Sequence, residues 1–70
     1  MVSAPKHRWT IKTYERRGRL RATVYHGTRA LVEDVEVASA YAFVGERRLG
    51  GQVVRIDDQE NSIDVTREFQ

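Results

Sequence analysis

Trp9-Thr-Ile-Lys-Thr-Tyr14, Glu15-Arg-Arg-Gly18 and Arg19-Leu-Arg-Ala-Thr-Val-Tyr25 form the stretch from which the fold can be read. Two alternating runs of β-branched and aromatic residues flank a short polar segment with a glycine, which is the pattern of a β-hairpin. Side chains alternate with a period of two, so Trp9, Ile11 and Thr13 must share a side with Leu20, Ala22 and Val24. Only an even-numbered loop permits this. A four-residue loop, Glu15 to Gly18, built on a type I turn with Gly18 at positive φ, is expected to pair Thr13 with Leu20 and Ile11 with Ala22. The opposite face then carries Arg8, Lys12, Tyr14, Arg19, Arg21 and Tyr25, with Thr10 and Thr23 between them and Arg16 and Arg17 at the tip.

Beyond the hairpin, His26-Gly27-Thr28 reads as a second turn and Arg29 to Val37 as a third strand completing a meander. A helix over residues 30–44 competes poorly, because Glu33, Asp34, Glu36 and Ser39 would scatter around it instead of sharing a face. A shorter helix follows, with Ser39 as N-cap, Gly50-Gly51 as C-cap, and a stripe of Tyr41, Ala42, Gly45 and Leu49 toward the sheet. Gln52 to Ile56 and Ser62 to Arg67 suggest a second hairpin. Its loop, Asp58 to Asn61, would have Asn61 in the left-handed region, pair Ile56 with Ile63 and Val54 with Val65 on the core side, and leave Arg55 facing Asp64 outside. The fold class expected is α+β: a small antiparallel sheet in the order β-β-β-α-β-β, with one short helix packed on it. Residues 1–7 are expected to be a flexible basic arm and residues 8–70 a single domain.

Seventy residues with 40% apolar and 31% charged content suit one small domain and exclude a multidomain enzyme or a fibrous chain. Cysteine is absent, so disulfides and thiolate metal sites are excluded and oligomerisation is the natural supplement to a modest core. No apolar run approaches the roughly 20 residues that span a bilayer, and the first eight residues lack the apolar region of a secretory signal, so a cytoplasmic location without membrane association is expected. Arg supplies ten of the twelve basic residues, a skew typical of GC-rich genomes that points to a bacterial or phage source.

The formal net charge of +2 conceals an asymmetry. Residues 1–29 hold eight basic residues against Glu15 alone, whereas residues 30–70 hold four against nine carboxylates. Charge segregated in this way can steer a polyanion or align two protomers head to tail.

Catalytic chemistry finds few candidates. His7 falls in the arm, no nucleophile elbow is present, and His26 at the end of the second strand, near Trp9, suits a turn or packing role. Two separated histidines do not make a zinc site. Asp57, Asp58, Glu60 and Asp64 surround a loop but lack EF-hand spacing and read as a solvated turn. Gly50-Gly51 ends a helix instead of starting one, so it is not a phosphate loop. The sequence therefore implies no enzyme, cofactor or metal.

The basic hairpin face remains. A nucleic acid needs cations at intervals along its phosphates, and forked guanidiniums or planar rings for its bases. Arg8, Lys12, Arg16, Arg17, Arg19 and Arg21 would contact phosphates or base edges, and Tyr14 and Tyr25 would stack. The competing accounts are a solvent-facing strand surface whose cations block edge pairing, or a face covered by the helix. The meander with W-x-I-x-x-Y in its first strand, a Gly turn and a helix after strand three resembles, over residues 9–25, the arm-type DNA-binding domains of phage integrases. The acidic third strand and the C-terminal hairpin depart from that pattern, and the family is not assigned. The expected function is a small accessory or regulatory protein that binds nucleic acid, with DNA favoured. The alternative is a protein-interaction module or homo-oligomer using the two oppositely charged halves.

Overall fold

The structure is a computed structural model and describes residues 8–70. The basic arm expected over residues 1–7 lies outside the described residues. Strands β1 (Trp9–Arg16), β2 (Arg19–His26) and β3 (Arg29–Glu36) form the meander, helix α1 (Val37–Arg47) follows, and β4 (Val53–Ile56) and β5 (Ser62–Asp64) form the second hairpin. A short 3-10 turn, Thr66–Phe69, ends the chain. All five strands join one sheet in the order β3-β2-β1-β4-β5. The α+β class and the element order agree with the sequence reading, but the sheet is mixed, because β4 runs parallel to β1. The helix makes this possible: it begins where β3 ends, returns along one face of the sheet, and delivers the chain to the far side of β1.

The first hairpin differs from expectation in its loop. Arg17 (φ 54°) and Gly18 (φ 76°) form a two-residue turn with both central residues at positive φ, the type I′ geometry whose twist matches that of the strands. Pairing therefore extends through Glu15↔Leu20 to Arg16↔Arg19, and Thr13 lies opposite Ala22 instead of Leu20. Holding a non-glycine residue such as Arg17 in the left-handed region costs roughly 1–2 kcal/mol, which the two added residue pairs offset. The register moved by two residues, so the assignment of faces survives: Trp9, Ile11, Thr13, Ala22 and Val24 are all buried.

Strand β3 does not alternate cleanly because it contains two register shifts against β2, one between Ala22 and Val24 and one between Val24 and Tyr25. At the first, Glu33 and Asp34 together oppose Thr23, and Asp34 takes φ 54°. The bulge uses up one residue, so Val32 and Val35, three apart, both pack against the core.

The helix starts earlier than Ser39. Its N-cap is Glu36, in extended conformation and without a side-chain capping bond. Starting at Val37 produces a stripe of Val37, Ala40, Tyr41 and Val44 against the core, the i, i+3, i+4, i+7 spacing of one helix face. The expected stripe is thus rotated: Ala42, Gly45 and Leu49 are exposed. The helix is closed by Arg48 instead of by glycine. Its N–H donates to the Val44 carbonyl, its Nε to the Gly51 carbonyl at 2.9 Å and its Nη1 to the Phe69 carbonyl at 3.2 Å. Gly50 (φ 144°) and Gly51 (φ 90°) then let the chain double back, so that Gln52 receives the Trp9 N–H.

The second hairpin is also shifted. Ile56 lies opposite Ser62, Arg55 opposite Ile63 and Val54 opposite Asp64, and Glu60, not Asn61, takes the left-handed conformation (φ 64°). Pairing with β1 sets Val53 beside Trp9 and Arg55 beside Ile11. Val53 is therefore the core residue of β4, and Arg55 lies on the helix face over the Tyr41 ring, 6.0 Å from its centre. Val54 is nevertheless buried on the other face, beside Thr10. Ile63 remains 61% exposed, while Val65, whose N–H bonds to the Val53 carbonyl, enters the core.

The observed helix stripe leads to a stability prediction. Val44→Ala removes a fully buried side chain and is expected to cost about 2 kcal/mol, whereas Leu49→Ser should change stability by less than about 0.5 kcal/mol. Urea unfolding of both variants measures this, and the reverse ranking would restore Leu49 to the core.

Candidate nucleic-acid interface

The residues that matter stand in rows across the face of the sheet opposite the helix. Thr10 pairs with Tyr25, Lys12 with Thr23, Tyr14 with Arg21, and Arg16 with Arg19. Successive rows are about 6.8 Å apart, two residues of extended chain. Neither the helix nor the terminal turn covers this face, since α1 packs on the Trp9 side through Ala40 and Val44. β4 ends at Ile56 beside Lys12, and the last pair to β3 is Arg21↔Glu36. The rows Glu15↔Leu20 and Arg16↔Arg19 therefore project beyond both flanking strands as a two-stranded ribbon.

Arg16, Arg17, Arg19 and Arg21 surround a shallow depression of about 310 Å³ whose remaining wall is Asp34. Like charges directly opposite on paired strands repel, and Arg16 and Arg19 stand in that relation. The bulge in β3 supplies a compensating carboxylate. Asp34 Oδ2 lies 2.7 Å from Arg16 Nη1, and its Oδ1 lies 3.3 Å from Arg21 Nε. Arg21 Nη2 also donates to the Asp34 carbonyl oxygen. The Tyr14 hydroxyl donates to Asp34 Oδ1 at 3.0 Å and lies 3.2 Å from Thr23 Oγ1, which accepts the Asp34 N–H at 3.2 Å. The hydrogen bond from Tyr14, then those from Arg21 and the charges of Arg16 and Arg21, hold the Asp34 carboxyl below its ordinary value.

The predicted residues thus divide. Arg16, Arg17, Arg19 and Arg21 come together, with Lys12 one row behind Tyr14 on the same face. Arg8 is at the opposite end, half-buried, its carbonyl accepting the Gly27 N–H and its Nε enclosed without a hydrogen-bond partner among the described residues. Tyr14 is tied by its hydroxyl into the Asp34 web, and Tyr25 is half-buried beside Thr10. Both rings are thus partly enclosed. Sequence reasoning missed Asp34 because a carboxylate in a strand-like run gives no warning that a bulge will aim it across β2.

The charge asymmetry in the sequence does not become two opposite ends in space. Because β4 runs parallel to β1, the acidic 57–61 loop is carried toward the same end as the Arg17-Gly18 turn. That loop is organised from within: Asp57 Oδ1 accepts the N–H groups of Gln59 and Asn61, and Oδ2 accepts Asn61 Nδ2. These bonds hold the Asp57 carboxyl low. Among the described residues no group of three or more His, Cys, Asp or Glu side chains is gathered to hold a metal ion. His26 stacks on Trp9 across the hairpin, ring centres 4.3 Å apart, in the packing position expected for it. No helix among the described residues is long and apolar enough to cross a membrane.

Comparison with protein-family models, with curated proteins and with solved structures finds no match to this chain.

The Asp34 web has a pH signature. A carboxyl whose folded value lies below its unfolded one adds stability at pH above the unfolded value, and that stability is lost as the pH falls through the folded value. The Asp34 carboxyl carbon, followed by NMR, should titrate below the ordinary value of 3.8, and Tyr14→Phe should move its midpoint upward. An unchanged midpoint in Tyr14→Phe would show that the phenol does not hold the carboxylate in solution.

Proposed function

We propose that the protein binds nucleic acid, duplex DNA before other forms, through the outer face and tip of the β1–β2 hairpin. The observation that carries this reading is the gathering of four arginines around one depression, three of them, Arg16, Arg17 and Arg19, on a ribbon that projects beyond the flanking strands. Two strands about 4.8 Å apart, with their side chains, suit a major groove about 12 Å wide. Among the described residues Lys12, Arg17 and Arg19 form no ion pair with a carboxylate, and Arg16, paired to Asp34, is still 58% exposed in its side chain. Phosphate contact is the role that fits these cations. The partial burial of the Tyr14 and Tyr25 rings favours a duplex over a single strand, because single-strand binding relies on rings offered for stacking.

Arg8 and Tyr25 contribute less in this reading than their placement in the sequence suggested, Arg8 because it lies at the far end and Tyr25 because it is partly enclosed. No catalytic step is assigned. The chain acts as an accessory or regulatory binding module.

Fluorescence anisotropy on a labelled duplex of about 20 base pairs tests the proposal. Three to four neutralised phosphates should make the logarithm of affinity fall with the logarithm of salt with a slope of about −3. Arg19→Ala should reduce that slope by about 1 and weaken binding to all sequences alike. Absence of binding at about 50 mM salt, or a salt-independent interaction, would overturn the reading and favour a protein partner.

A further inference from the structure

The four arginines of the depression are not equivalent. Arg17 and Arg19 are exposed and, among the described residues, have no partner to fix their orientation. Arg21 differs on three counts. Its side chain is only 25% exposed. One edge of its guanidinium is held by the carboxylate and the carbonyl of the same residue, through Nε at 3.3 Å and through Nη2. Asp34 is in turn fixed by Tyr14 and Thr23, with its backbone in the left-handed region that the bulge imposes.

Resting on the binding reading above, we propose that Arg21 is the base-reading residue, selective for guanine in the major groove, and that Asp34 is its positioning residue. Two physical arguments lead there. Base recognition needs a guanidinium oriented before contact, because ordering a free arginine side chain offsets much of what a hydrogen bond to a base returns. With one edge engaged by Asp34, Arg21 keeps Nη1 and the second Nη2 hydrogen, the end of the fork that matches guanine O6 and N7. The second argument is electrostatic. Asp34 neutralises much of the charge of Arg21 and repels a phosphate brought close to it, whereas the neutral acceptors of a base edge meet far less of that repulsion. Lys12, Arg17 and Arg19 hold the backbone, and Arg21 is left for the base.

Selection from a duplex pool with about 20 randomised base pairs, run with the intact chain and with Arg19→Ala, Arg21→Ala and Asp34→Asn, separates these roles. The parent protein should enrich sequences with guanine at one fixed position, and 7-deazaguanine there, which lacks the N7 acceptor, should weaken binding by roughly 5- to 30-fold, within the range of one bidentate contact. Arg21→Ala and Asp34→Asn should both abolish the guanine preference while retaining salt-dependent binding. Arg19→Ala should weaken every sequence and keep the preference. Circular dichroism confirms folding of each variant. Should Arg21→Ala not fold, Arg21→Lys, which keeps the charge without the fork, is expected to lose the same selectivity. A guanine preference that survives Arg21 and Asp34 substitution, or a parent protein that binds duplexes without base preference, overturns the assignment while leaving the binding reading intact. A parent protein that binds no duplex overturns both.

Discussion

Strand β1 is the member on which both halves of the chain converge. It is hydrogen bonded to β2 on one side, antiparallel, and to β4 on the other, parallel. Ile11 at its centre is fully buried, and the Trp9 N–H takes the Gln52 carbonyl as the chain enters β4. A strand paired on both sides has its backbone groups satisfied within the sheet, and Thr10 and Thr13, on its opposite faces, are both nearly inaccessible. The remaining architecture follows. The helix has to cross the sheet to bring β4 to the vacant edge of β1, and the arginine-bearing hairpin tip is whatever of β1 and β2 extends beyond their neighbours.

The site is built on the same strand pair but depends on irregularity. In a regular β3 a single residue would stand opposite Thr23, whereas here Glu33 and Asp34 both do. The bulge inserts Asp34, whose hydrogen bonds draw side chains from all three strands of the meander into one web. Bulges serve to re-aim a side chain. Here the re-aimed group is an anion among cations, and it sorts four similar arginines into two held and two unheld.

How much of this was legible depended on whether alternation carried information. Polar and apolar residues alternate over residues 9–12 of β1 and 19–24 of β2, so the two faces could be assigned even though the turn proved two residues shorter than expected; an even shift changes partners but not sides. In β4 the adjacent Val53 and Val54 give no parity signal, and the expected face was the wrong one. Pairing with β1, a contact some forty residues distant in sequence, settled what local pattern could not. The helix was legible as an element, but its stripe was misplaced by taking Ser39 for the cap. The structure begins the helix directly from the strand, so that Val37 reaches the core. Of the candidate site, Lys12, Arg16, Arg19 and Arg21 were legible as a face, whereas the contacts of Tyr14 and Arg21 were not, since both bond to Asp34 and Asp34 lies in a bulge.

The parallel placement of β4 has an electrostatic corollary. It draws the carboxylates of residues 57–60 alongside one margin of the cationic ribbon, while Glu33, Asp34 and Glu36 of β3 border the other. The cations on the outer face of β1 and β2 are thereby flanked by carboxylates on both sides of the sheet. For the polyanion proposed above, carboxylates on both flanks would disfavour approach across the strands relative to approach along the hairpin axis.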